Sequence, residues 1–188
     1  KRQVRRLNTD ERGQLIGEFK GEDQILTINS NGTYKIIGFD LSTHFSEDMI
    51  QIEKLNIHKP ISAVYWDGDK EQFNVKRFLI ESTQRKVTFI TEHDNSYLEI
   101  VSTDLRPMIE VIFKKTKVKE ESSLKVDIEK FISTKGIKAI GKRLTTEKVK
   151  MINILESLPS KRNENQNETE NITKHQNDST SQGKIDFE

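Results

Sequence analysis

Up to about residue 128 the apolar residues come in short, β-prone runs separated by turn residues, and helical spacing is scarce. The clearest unit is QILTI (24–28), a polar stretch ending in Asn31-Gly32, and TYKII (33–37). Asn-Gly at that point predicts a hairpin closed by a type I′ turn, with both central residues at positive φ. A second hairpin is expected from 61–66 and 73–78 across Asp67-Gly68-Asp69, and a third from 87–90 and 97–101 across Asp94-Asn95. A fourth would place 109–113 against 124–128 across the charged loop 114–123. The turn centres, near 32, 68, 94 and 120, recur every 26 to 36 residues, which indicates a repeated β-meander more than a single sandwich.

Past these hairpins the pattern weakens. Residues 148–155 fit either a last strand, with Val149, Met151 and Ile154 on its apolar side, or a short helix. From 159 to 188 the only sizeable apolar side chains are Ile172, Ile185 and Phe187, too few for burial to offset the entropy of ordering the segment. The expected organisation is one all-β domain over 1–158 followed by a disordered polar tail over 159–188.

Charge sharpens this division. The formal net charge of +1 conceals +3 over residues 1–160 (27 basic, 24 acidic) and −2 over 161–188 (4 basic, 6 acidic). Within 130–150, seven Lys and Arg residues face the single acid Glu147, a local charge of +6. Such a segment attracts polyanions, although a solvated charged face is the ordinary explanation in a chain with 32% charged residues. With zero cysteines and no apolar run long enough to span a bilayer, a soluble cytoplasmic protein without membrane attachment is expected.

Catalytic constellations are not evident. His44, His58, His93 and His175 are far apart in sequence, so neither a metal set nor a triad suggests itself. Asp67, Asp69 and Glu71 alternate as in a calcium loop, but the bidentate Glu such a loop needs is missing and a β-turn explains the acids equally well. Gly136 and Gly141 are not followed by the Gly-Lys-Ser/Thr ending of a phosphate-binding loop. No cofactor is expected. The aromatics Tyr34, Tyr65, Trp66, Phe73, Phe78, Phe89 and Phe113 fall inside expected strands, where core packing is their natural role.

Three strings carry a resemblance. GEFKGEDQILTINSNG (17–32) resembles the blade signature of the C-terminal domain of DNA gyrase and topoisomerase IV A subunits, an acidic-Gln-aliphatic strand followed by a Gly turn. ISAVYWDGDKEQFNVKRFLI (61–80) and KGIKAIGKRLTTEKVK (135–150) are similar to the final blades of the topoisomerase IV A subunit of Bacteroidetes-type bacteria. The glycine-rich QRRGGKG box of gyrase is absent, which favours topoisomerase IV.

The resemblance implies a partial β-pinwheel of about three propeller-like antiparallel blades. It implies a non-catalytic module that binds and bends double-stranded DNA through backbone contacts and presents it for ATP-dependent strand passage. Its partners would be the rest of the A subunit and the ATPase B subunit, and its location cytoplasmic and nucleoid-associated. Tyr34, Tyr65 and Tyr97 lie in no context resembling the cleavage tyrosine. By the family's pattern, phosphate contacts would fall on Arg2, Arg5 and Arg6, on Lys76 and Arg77, and on Lys135, Lys138, Lys142, Arg143 and Lys148. The competing expectation is a propeller-like protein-interaction module that binds no nucleic acid.

Overall fold

The computed structural model describes residues 5–10, 12–117, 120–159 and 184–187. In chain order the elements are β1 (Arg5–Asn8), β2 (Gln14–Glu18), β3 (Gln24–Asn29), β4 (Thr33–Gly38), β5 (His44–Phe45), β6 (Met49–Lys54), β7 (Ile61–Asp67) and β8 (Gln72–Phe78). There follow β9 (Val87–Thr88), β10 (Tyr97–Ser102), β11 (Met108–Phe113), β12 (Ser123–Asp127), α1 (Ile128–Phe131), β13 (Lys142–Arg143), β14 (Val149–Leu155) and β15 (Lys184–Phe187). The fold is all-β, as expected for a partial pinwheel of antiparallel meander sheets. It divides into two compact units, one holding β1–β6, β9 and β15 and the other β7, β8, β10–β14 and α1.

One rule of connection recurs. Each hairpin pair (β3·β4, β7·β8, β11·β12) receives a third strand that pairs with the hairpin's first strand: β6 on β3, β10 on β7, β14 on β11. Between hairpin and third strand the chain leaves to add a two-residue strand to the edge of the preceding sheet, β5 on β1, β9 on β4 and β13 on β8. This exchange overturns the third expected hairpin. Val87-Thr88 does not face β10, because Phe89, 1% exposed, stacks on Tyr34 and its amide donates to the Gly32 carbonyl at 2.9 Å. Burying that ring in the first unit outweighs a local turn at Asp94-Asn95.

In the first unit the sheets run β6-β3-β4-β9 and β2-β15-β1-β5. Their core gathers Leu7, Phe19, Ile25, Met49 and Ile52, with Phe39 and Phe45 against them. The β3–β4 loop is not the expected type I′ turn, since Asn31 is not at positive φ; Gly32 alone is, at +73°, and its amide donates to the Asn29 carbonyl. That is a three-residue loop, a turn followed by one left-handed residue. The second sheet takes in four residues of the expected tail. Residues 160–183 lie outside the described residues, but Lys184–Phe187 form a strand between β1 and β2, with Leu7 opposite Phe187 and Glu18 opposite Lys184. The described residues form four sheets in all.

In the second unit the sheets are β10-β7-β8-β13 and β12-β11-β14, around a core of Val64, Val75, Ile109, Val111, Ile128, Leu144 and Ile152. Residues 149–155 are a strand, not a helix. A register shift at Ile112/Phe113 reverses its parity: Val149 and Ile152 face inward, while Met151 and Ile154 are 47% and 53% exposed. One extra residue in a strand moves the side chains after it to the other face, which puts Met151 on the face opposite to Val149 and breaks the expected stripe; Ile154 shares the parity of Ile152 but is exposed. Asp127 caps the single helical turn by accepting from the Lys130 amide. Burial alone would raise the Asp127 carboxyl, but the Arg106 guanidinium and the Lys130 amide hold it below the ordinary aspartate range. No described helix is long and apolar enough to cross a membrane.

Candidate nucleic-acid interface

The +6 segment is built around a pinned loop. After α1 the chain runs along the end of β8, where the Lys135 amide donates to the Arg77 carbonyl at 2.9 Å and Phe78 bridges Lys135 in parallel. Ile137, 5% exposed, plugs the loop into the unit, and the Ala139 amide closes a turn on the Gly136 carbonyl. At the far end a Cβ on Gly141 would lie 3.0 Å from Asn74, Tyr65 and the Val75 carbonyl, so the backbone seats closely there and a side chain would make its neighbours give way. The chain then pairs Lys142 with Val75 and Arg143 with Asn74, and Leu144 is buried. Between these anchors Lys135, Lys138, Lys142 and Arg143 are exposed, and no acidic residue occurs from 130 to 146.

Two of these cations are partly oriented by the fold. Lys142 Nζ donates to the Phe131 carbonyl at 3.1 Å and lies 4.4 Å from the centre of the Phe131 ring. Arg143 Nε donates to the Thr145 carbonyl at 2.9 Å, leaving the rest of its guanidinium at an exposed position. Lys148 is exposed beside a cleft of about 410 Å³ that Arg143, Trp66, Phe73, Lys114, Glu71 and Glu147 also line. The Lys114 amide donates to the Lys148 carbonyl at 2.9 Å, which sets these two cations on adjacent backbone. Lys114 was not among the expected contacts, and the signal for it was the Lys114-Lys115 pair at the start of a loop of mixed charge.

Lys76 and Arg77 are not displayed with these cations: they are 8% and 5% exposed, buried within β8. Burial pulls the Lys76 amine below its ordinary value, and its Nζ lies over the Phe78 ring. Arg77 is an anchor of the loop: Nη2 donates to the Leu105 carbonyl at 2.6 Å and Nε to Thr134 Oγ1 at 3.3 Å, while Nη1 is buried without a partner. Burial lowers its pKa, opposed by the charges of Glu129 and Asp127.

The N-terminal patch belongs to the first unit and the loop to the second. Arg2 lies outside the described residues; Arg5 and Arg6 belong to β1 in the other unit, opposite Phe45 and His44, with Arg6 exposed. The acids of the β7–β8 turn have a structural role: Asp67 Oδ1 accepts from the Asp69 and Lys70 amides, and Oδ2 accepts from Asn74 Nδ2. Among the described residues no group of three or more His, Asp or Glu gathers as metal ligands do.

A family model described as the topoisomerase C-terminal domain of Bacteroidota matches residues 6–156. Neither the curated proteins nor the solved structures gave a match.

Proposed function

The chain belongs to the topoisomerase C-terminal domain family of Bacteroidota, and from that premise we propose that it binds and bends duplex DNA as the non-catalytic module of a topoisomerase IV-type A subunit. A topoisomerase works on DNA as one part of a larger assembly. The finer assignment is supported by a single observation: the loop from Lys135 to Arg143 is fixed at both ends by buried groups and shows solvent four cations and no carboxylate. Cations held this way neutralise successive phosphates whatever the base sequence, releasing counterions as they do. The duplex would be presented to strand passage carried out by the rest of the A subunit with the ATPase B subunit, in a nucleoid-associated cytoplasmic setting.

The test is a titration of fluorescent duplex DNA at several ionic strengths. Affinity is expected to fall linearly on a log-log plot with a slope of about −0.9 per phosphate contact, and unrelated sequences of equal length should bind alike. Absence of binding at low salt would leave a protein-interaction module as the surviving function.

A further inference from the structure

Among the described residues the most exposed large apolar side chain is Ile140, at 72%. It is not a residue that failed to find a core. Its backbone is held by the Ala139–Gly136 turn on one side and by the close seating of Gly141 on the other, so the fold fixes the side chain in solvent. Two residues before it stands Lys138, and Lys142 and Arg143 follow, all exposed. Of the other exposed apolar residues of this unit, all less exposed, Leu124, Met151 and Ile154 lie on the edge strands β12 and β14, Tyr97 on the edge strand β10, and Ile57, Leu79 and Leu158 outside the strands.

An apolar side chain flanked along the chain by cations has a known use in DNA recognition. The cations draw the backbone in, and the side chain slides between two base pairs from the minor groove, unstacking them and kinking the duplex by roughly 20–90°. Isoleucine suits this because β-branching leaves it few rotamers, so it enters as a stiff wedge. Unstacking a step costs a few kcal/mol, which phosphate contacts on both sides of the kink can offset.

We propose that Ile140 is such a wedge: it enters the base stack of bound DNA and makes the bend a localised kink. The proposal rests on the DNA-binding function above and adds where and how the duplex deforms. Pyrimidine–purine steps, the easiest to unstack, would be its preferred sites.

The experiment uses the full chain with a duplex carrying end-labels for energy transfer and a 2-aminopurine beside a central TA step. Wild type should shorten the end-to-end distance and raise 2-aminopurine fluorescence. Ile140→Ala should lose most of both signals while keeping affinity within about tenfold, since the lysines supply the phosphate contacts; Ile140→Phe should retain both. An equal bend and equal 2-aminopurine signal in wild type and Ile140→Ala would overturn the wedge alone. No duplex binding by wild type would overturn the wedge and the function together.

Discussion

At the scale of single residues, the consequential distinction is between cations that hold the loop and cations that the loop displays. Val75, Lys76, Arg77 and Phe78 are all buried, so period-two alternation along β8 could not tell an inward arginine from an outward one. Both faces of that strand are covered, and a sequence pattern presumes that one face is wet. Arg77 and Lys138 should therefore behave oppositely on substitution. Arg77→Ala removes the bonds to Leu105 and Thr134 and empties buried space, and should cost about 2–4 kcal/mol of stability. Lys138→Ala should change stability by less than about 0.5 kcal/mol and weaken DNA binding instead. Chemical denaturation of both variants checks this; an Arg77→Ala chain as stable as wild type would return Arg77 to the surface.

At the scale of elements, the strands of three hairpins were legible, while β2, β6 and the two-residue strands were not. The β3–β4, β7–β8 and β11–β12 hairpins follow from β-prone runs meeting at turn residues, and each forms as expected. β5, β9 and β13 are two residues each, too short to carry any period; β9 and β13 are each followed by a residue, Phe89 or Leu144, that finds a buried place. The last strand is the extreme case. Lys184–Phe187 carries Ile185 and Phe187 in an otherwise polar stretch and is legible only once an open slot between β1 and β2 is known. Deleting Lys184–Phe187 should leave β1 and β2 without their shared ladder partner. Hydrogen exchange should then speed up in β1 and β2, which belong to the first unit, and stay unchanged in β11 and β14 of the second. Unaltered protection of β1 and β2 would return those four residues to a dispensable tail.

At the scale of the whole molecule, function follows from where charge is left over after folding. A net charge of +1 says little by itself, and many cations are spoken for: Arg106 by Asp127, Lys54 by Asp23, Lys115 by Glu120. What stands out against that background is the acid-free loop between Lys135 and Arg143, whose family strings were legible from the start while its buried anchors were not. The most direct measurement is the salt dependence of duplex binding for the Lys138→Gln, Lys142→Gln, Arg143→Gln triple variant beside wild type, with circular dichroism to establish that both are folded. Loss of three phosphate contacts should reduce the log-log slope by about 2.7. Equal slopes in two folded proteins would contradict the assignment of the loop as the surface that grips DNA.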